Sequence, residues 1–248
     1  MPDPAPTPTP PAPRHGLLAC LGSTLTLSAI GIIVAAIGFT SAKGCSDRER
    51  LFLDEIKARH PGKFAWHDGG DVSVLECSHL DNEDTAWRFD TGQKVVRIAW
   101  SRDGRTLYLV EDVGGLLSTT HRIEALDVMT SKRRVVLDLG TSKLESDEIE
   151  TEEFWVGAWG EVEAEQERLY FQLESGDWYS VESKRSRVRS EPGRPAQPWD
   201  QAVCPDGAHR LKRESDDDDS WLEVTDGKVA VRVTRKDVDD DGAWYCER

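Results

Sequence analysis

The sequence predicts an all-β, water-facing domain behind one N-terminal transmembrane helix, and three observations predict it. Residues 15–42 contain no Asp, Glu, Lys or Arg. From residue 64 onward, short stretches of alternating or β-branched apolar residues are separated by turn signals of the Asx-Gly type. Those stretches recur with a period of roughly 35–45 residues, the spacing of stacked supersecondary units.

In chain order, residues 1–14 form a Pro-rich tail, extended and unable to bury a core. Residues 15–42 follow, with Leu17, Leu18, Leu25, Leu27 and the run Ala29–Phe39. About 20 apolar residues cross a bilayer as a helix, so this run is read as a single pass. Its length exceeds the apolar region of a cleaved signal peptide. Gly31, Ala35 and Gly38 fall on one face of it, where small residues permit close helix packing. Cys45 is the candidate for lipid attachment, but Lys43 sits awkwardly in such a cleavage site. Lys43, Arg48, Arg50, Lys57 and Arg59 outnumber Arg14, which favours a cytoplasmic C-terminal side.

Residues 43–63 read as an amphipathic linker. Ser46 and Glu49 form a capping-box pattern, Leu51, Phe52, Leu53 and Ile56 give an apolar side, and His60-Pro61-Gly62 ends the helix. That side is expected to rest on the domain or on a membrane surface.

Residues 64–248 form the β-rich repeat domain. Strands are expected at Leu107–Val110, Leu169–Leu173 and Val229–Val233. Turns are expected at Asp68-Gly69, Thr91-Gly92, Asp103-Gly104, Asp206-Gly207, Asp226-Gly227 and Asp241-Gly242. The acidic stretch 140–153 reads as an insertion loop. Each repeat pairs a turn and apolar strand, best seen in Ala99-Trp100-Ser101-Arg102-Asp103-Gly104 running into Leu107–Val110, with a later hairpin. Hairpins are read at Trp87–Val96, Ile123–Val136, Trp178–Val188 and Trp221–Val229.

Ser101-Arg102-Asp103-Gly104 and Cys204-Pro205-Asp206-Gly207 resemble the Ser-Pro-Asp-Gly turn of TolB-like β-propeller repeats, and Asp90-Thr91-Gly92 resembles the end of their later strand. The resemblance implies a small or partial β-propeller of about four to five blades, its last strand completing the first blade. It also implies an extracytoplasmic platform that binds other molecules, and it carries no catalytic residues. The alternative fold is a β-sandwich with an immunoglobulin-like C-terminal part, in which Cys204, Trp221 and Cys246 would form the core trio.

The formal net charge of −15 argues against nucleic acid as a partner. The local basic run Lys184, Arg185, Arg187, Arg189 and Arg194 reads as a solvated strand edge. Five Cys without Cys-x-x-Cys spacing give no disulfide framework or zinc knuckle. Cys77 and His79 would share a strand face and could hold a metal, though two ligands are few. Asp237, Asp239 and Asp241 open like a calcium loop and are the candidate ligands, with calcium the one cofactor considered. Asp216–Asp219 reads as a solvated hairpin tip. Phosphate loops, nucleophile elbows and His-Glu-x-x-His are absent from the sequence.

The expected function is a single-pass, membrane-anchored, non-enzymatic binding or scaffold protein, presenting a propeller-like domain to protein or cell-envelope-polymer partners. The alternatives are a carboxylate-dependent hydrolase and a single-pass sensor.

Overall fold

A computed structural model describes residues 47–114, 120–141, 144, 149–158, 167–196, 201–204, 207–216, 219–234, 238–239 and 242–246. Glu49–Arg248 make up one compact unit. A helix, α1, covers residues 47–59, and the described residues after it form strands, turns, short 3₁₀ segments and connecting loops.

The strands form four antiparallel sheets. Sheet I begins with β1 (Gly62–His67), β2 (Asp71–Glu76) and β3 (Trp87–Asp90). Sheet II is the meander β4 (Lys94–Trp100), β5 (Thr106–Asp112), β6 (His121–Asp127) and β7 (Lys132–Asp138). Sheet III repeats it with β8 (Ile149–Ala158), β9 (Glu167–Leu173), β10 (Trp178–Glu182) and β11 (Val188–Glu191). Sheet IV has β12 (Arg210–Ser215), β13 (Ser220–Thr225) and β14 (Ala230–Arg232). The last strand, β15 (Ala243–Cys246), returns to the start of the chain and pairs antiparallel with β1, Phe64 opposite Trp244.

Turn chemistry explains the meanders. All six expected turn glycines have positive φ, from +64° to +83°, which glycine adopts without a Cβ clash. The hairpins β6–β7, β10–β11 and β13–β14 each close on a left-handed residue: Ser131, Ser186 and Gly227. That shared position is the clearest internal repeat in the structure.

Three apolar clusters hold the sheets together. Phe64, Leu75, Leu222 and Trp244 join sheets I and IV, and α1 adds Phe52 and Ile56. Val74, Trp100, Leu107 and Leu126 join I and II. Tyr108, Ile123, Phe154 and Phe171 join II and III. The core thus runs in the order IV, I, II, III, and none of the three clusters joins III to IV.

Several expectations are corrected here. Among the described residues no helix is long and apolar enough to cross a membrane, so the transmembrane, single-pass reading is withdrawn. The one long helix, α1, spans only about 20 Å at 1.5 Å per residue, and Asp47, Glu49, Arg50, Asp54 and Glu55 punctuate it. Residues 1–46, on which the tail and membrane helix were read, lie outside the described residues. The fold class is corrected with it, to a mostly-β domain of four sheets. The immunoglobulin-like alternative also fails. Cys204 is buried in the apolar cluster that joins sheets I and IV, and the half-buried Trp221 instead packs under Arg232, 4.7 Å from guanidinium to ring. β15 completes sheet I rather than a sandwich.

Trp87–Val96 is not a hairpin, because β3 pairs with β2 and β4 with β5. Thr91-Gly92 is the crossing between sheets, pinned by Thr91 Oγ1 donating to Gly70 O at 2.7 Å and Val95 N donating to Gly69 O at 2.7 Å. Strand β8 begins at Ile149, inside the stretch read as a loop.

Candidate cation-lined cavity

Strands β4, β8, β12 and β15, one from each sheet, all contribute residues to a single cavity of about 430 Å³. It borders all four sheets, and its lining draws on the two, III and IV, that share no apolar cluster. Its lining includes Arg97, Arg210, Lys212 and Arg213, and no acidic side chain among the described residues. In a chain of net charge −15, that segregation is the main electrostatic feature of the site.

Each lining group has a local cause. Arg97 follows a β-bulge. Val95 pairs with Glu111 and Arg97 with Val110, so Val96 is the extra residue, and a bulge of this kind re-aims the side chains that follow it. On β12, Leu211 is buried against Leu222 and Val224 while Arg210 and Lys212, on either side of it, are exposed. The period of two in a strand puts Arg210 and Lys212 on the face opposite Leu211 and Arg213, and all four residues border the cavity. Lys212 forms an ion pair with Glu214, and Arg213 Nε donates to Val238 O at 2.8 Å.

Gln201 fixes the cavity floor. Its Oε1 accepts from Trp100 N at 2.7 Å, and its Nε2 donates to Trp100 O at 2.9 Å. Its carbonyl accepts from Trp244 N at 2.7 Å. One amide therefore ties β4 to β15 as a strand would. Trp100 Nε1 donates to Ala243 O at 3.0 Å.

Trp155 forms one wall. It is 3 % exposed, packs on Trp178 with centroids 4.9 Å apart, and carries the Arg194 guanidinium 5.6 Å from its ring. Its indole N–H has no acceptor among the described residues. A buried donor left in that state costs about 1–3 kcal/mol.

Two other polar constellations are structural. Glu111, fully buried, receives Arg122 at 2.9 Å and also Arg133. Glu124 Oε2 lies 2.7 Å from Arg133, and Arg133 Nη1 donates to Thr91 O at 2.7 Å. The network clamps sheet II to the crossing turn. Burial still pushes the Glu111 carboxyl above its ordinary range, against the Arg122 hydrogen bond. At the junction of sheets II and III, Tyr108 Oη donates to Glu167 Oε2 at 2.7 Å, and Arg102 N also donates to Glu167. Burial raises both the Glu167 carboxyl and the Tyr108 hydroxyl.

Of the three calcium candidates, Asp239 is described, and its N–H donates to His67 O at 3.1 Å. Asp237 and Asp241 lie outside the described residues. No group of three or more His, Cys, Asp or Glu able to hold a metal occurs among the described residues. Cys77 and His79 stand in a 3₁₀ turn rather than on a strand, the first buried and the second exposed. In the basic run read as a strand edge, Arg189 lies 3.4 Å from Glu182 and Arg194 lies 2.8 Å from Glu153. The cavity cations were missed at the sequence level, although Arg210-Leu211-Lys212-Arg213 is visible as a basic run in an acidic chain. Arg97 carries no such signal.

No protein-family model and no curated protein matches the chain. Solved structures resemble it only at low score, and two serve as examples. One is TolB from Acinetobacter baumannii, 10 % identical, covering 71 % of this chain and 42 % of that one, with a TM-score of 0.34. The other is a protein of unknown function from Bacteroides thetaiotaomicron VPI-5482, 14 % identical, covering 75 % of this chain and 44 % of that one, with a TM-score of 0.30. The chain thus covers less than half of either structure.

Proposed function

We propose that this domain is a non-enzymatic binding platform for a protein or cell-envelope polymer, with the cation-lined cavity as its recognition site. The observation that carries the reading is the convergence of one strand from each of the four sheets on a single cavity. Placing recognition groups on strands whose positions are set by packed sheets is how a fold holds a site rigid at little cost on binding.

The hydrolase alternative draws no support from the described residues of the same lining, which supply guanidinium, ammonium and indole groups but no pair of carboxylates. Photocrosslinking tests the proposal. A photoreactive residue placed at Ala202, in the cavity lining but supplying no cation, in the full chain exposed to cells of the source type, is expected to capture one recurrent partner. The same probe at Leu51, exposed on α1, is expected not to. Equal capture at both positions, or none at Ala202, would contradict the platform reading.

A further inference from the structure

We infer that the cavity binds one organic oxyanion, a phosphate or carboxylate group attached to an otherwise uncharged apolar or ring-shaped body. This rests on the binding-platform reading and names the chemistry recognised at its site. Arg97, Arg210, Lys212 and Arg213 converge there from strands of two different sheets, β4 and β12. Guanidinium groups offer forked donor pairs that match the two oxygens of a carboxylate or phosphate.

A second observation points to the same ligand. The Trp155 indole N–H, in the cavity wall, is buried without an acceptor among the described residues. An oxyanion supplies an acceptor, and the apolar side chains of the lining suit an apolar body. Ile98, Phe154 and Leu211 make the rest of the lining partly apolar, which strengthens charge recognition by lowering the local dielectric. The volume, about 430 Å³, is that of a site for a small organic group.

The remainder of the molecule sets the charge of the ligand. A net charge of −15 repels any extended polyanion while leaving a single anionic group free to reach a local cluster of cations. A lone oxyanion on a neutral body fits; a nucleic acid or polyphosphate chain does not.

Calorimetric titration of the full chain tests this, with phenyl phosphate, benzoate, inorganic phosphate and a single-stranded oligonucleotide as probes. Phenyl phosphate or benzoate is expected to bind with a submillimolar Kd, more tightly than inorganic phosphate. Lys212→Gln and Arg210→Gln are each expected to weaken that binding about tenfold or more. Lys212 is more than half exposed, so its variant keeps the test valid if Arg210→Gln fails to fold. A free small anion as the natural ligand is indicated if phenyl phosphate blocks no crosslink at Ala202, and a group borne by the partner if it does; either supports the site. The inference is overturned if neither organic anion binds, if folded variants bind as well as the parent, or if the oligonucleotide binds tightest. Absent anion binding with crosslinking intact removes this inference alone. Anion binding without any captured partner removes the platform reading alone.

Discussion

Gly104 sits at φ +64° in the β4–β5 turn, and the Tyr245 ring already fills the space a Cβ would occupy. Gly104→Ala therefore combines a left-handed backbone with a steric clash, and is expected to lose about 2–4 kcal/mol in urea unfolding. Gly92, also at positive φ, has nothing within 4 Å of its Cβ direction, so Gly92→Ala loses only the conformational part, about 1–2 kcal/mol. Glu167 gives a pH prediction whose sign follows from burial. Its folded carboxyl titrates above 4.5, so folding favours the protonated form, and its contribution is lost as pH rises through the interval above that value. Glu111 acts in the same direction. The lowered Asp127 and Asp226 act oppositely but only as pH falls below 3.8, and both are largely in solvent, where such effects are weak. The melting temperature is thus expected to rise from pH 7 toward pH 5. Glu167→Gln keeps both partners if Tyr108 Oη accepts in place of donating. That variant is expected to flatten part of the rise in a calorimetric pH series; an unchanged slope would show that Glu167 does not contribute.

At the scale of elements, α1 is part of the domain core. Ile56 is fully buried among Phe64, Leu75 and Trp244, whereas Leu51 is 66 % exposed. Ile56→Ala is expected to lose about 2–5 kcal/mol, and Leu51→Ala less than about 0.5 kcal/mol, in the same chemical denaturation experiment. Both residues belong to the apolar side visible in the sequence, which showed a helix with such a side but not which of its residues turn inward. Strands were legible where period and turn chemistry agreed: Leu107–Val110 lies within β5, Leu169–Leu173 within β9, and Val229–Val233 spans β14. Legibility failed where tertiary hydrogen bonds decide. Thr91-Gly92 has the composition of a hairpin turn, yet its bonds to Gly69 and Gly70 make it a crossing. Ile149 opens a strand because it packs with Phe171 and Leu173, in spite of the acids around it. The cavity was illegible for a related reason. Arg97 and Arg210 are far apart in the chain, and only the bulge in β4 and the placement of β12 bring both into one lining.

For the whole molecule, the last strand holds the two ends of the domain together. β15 hydrogen-bonds β1, Trp244 packs on Phe64 with centroids 4.6 Å apart, and Ala243 O accepts the Trp100 indole N–H. Removing residues 243–248 would expose the apolar cluster between sheets I and IV, leave a buried indole donor unpaired and open the cavity floor. Loss of a single sharp thermal transition by circular dichroism is expected; a cooperative melt at the parental temperature would contradict this role for β15. The same pairing brings Gln201, β4 and β15 together in the lining they share with Arg97, Arg210, Lys212 and Arg213. The most direct test reads the indole N–H resonances of the ¹⁵N-labelled full chain during titration with phenyl phosphate. Anion binding in the cavity predicts that the Trp155 signal shifts progressively to saturation while that of Trp221, bonded to Glu223 at 2.9 Å, stays in place. A stationary Trp155 signal, or equal displacement of both, would contradict it.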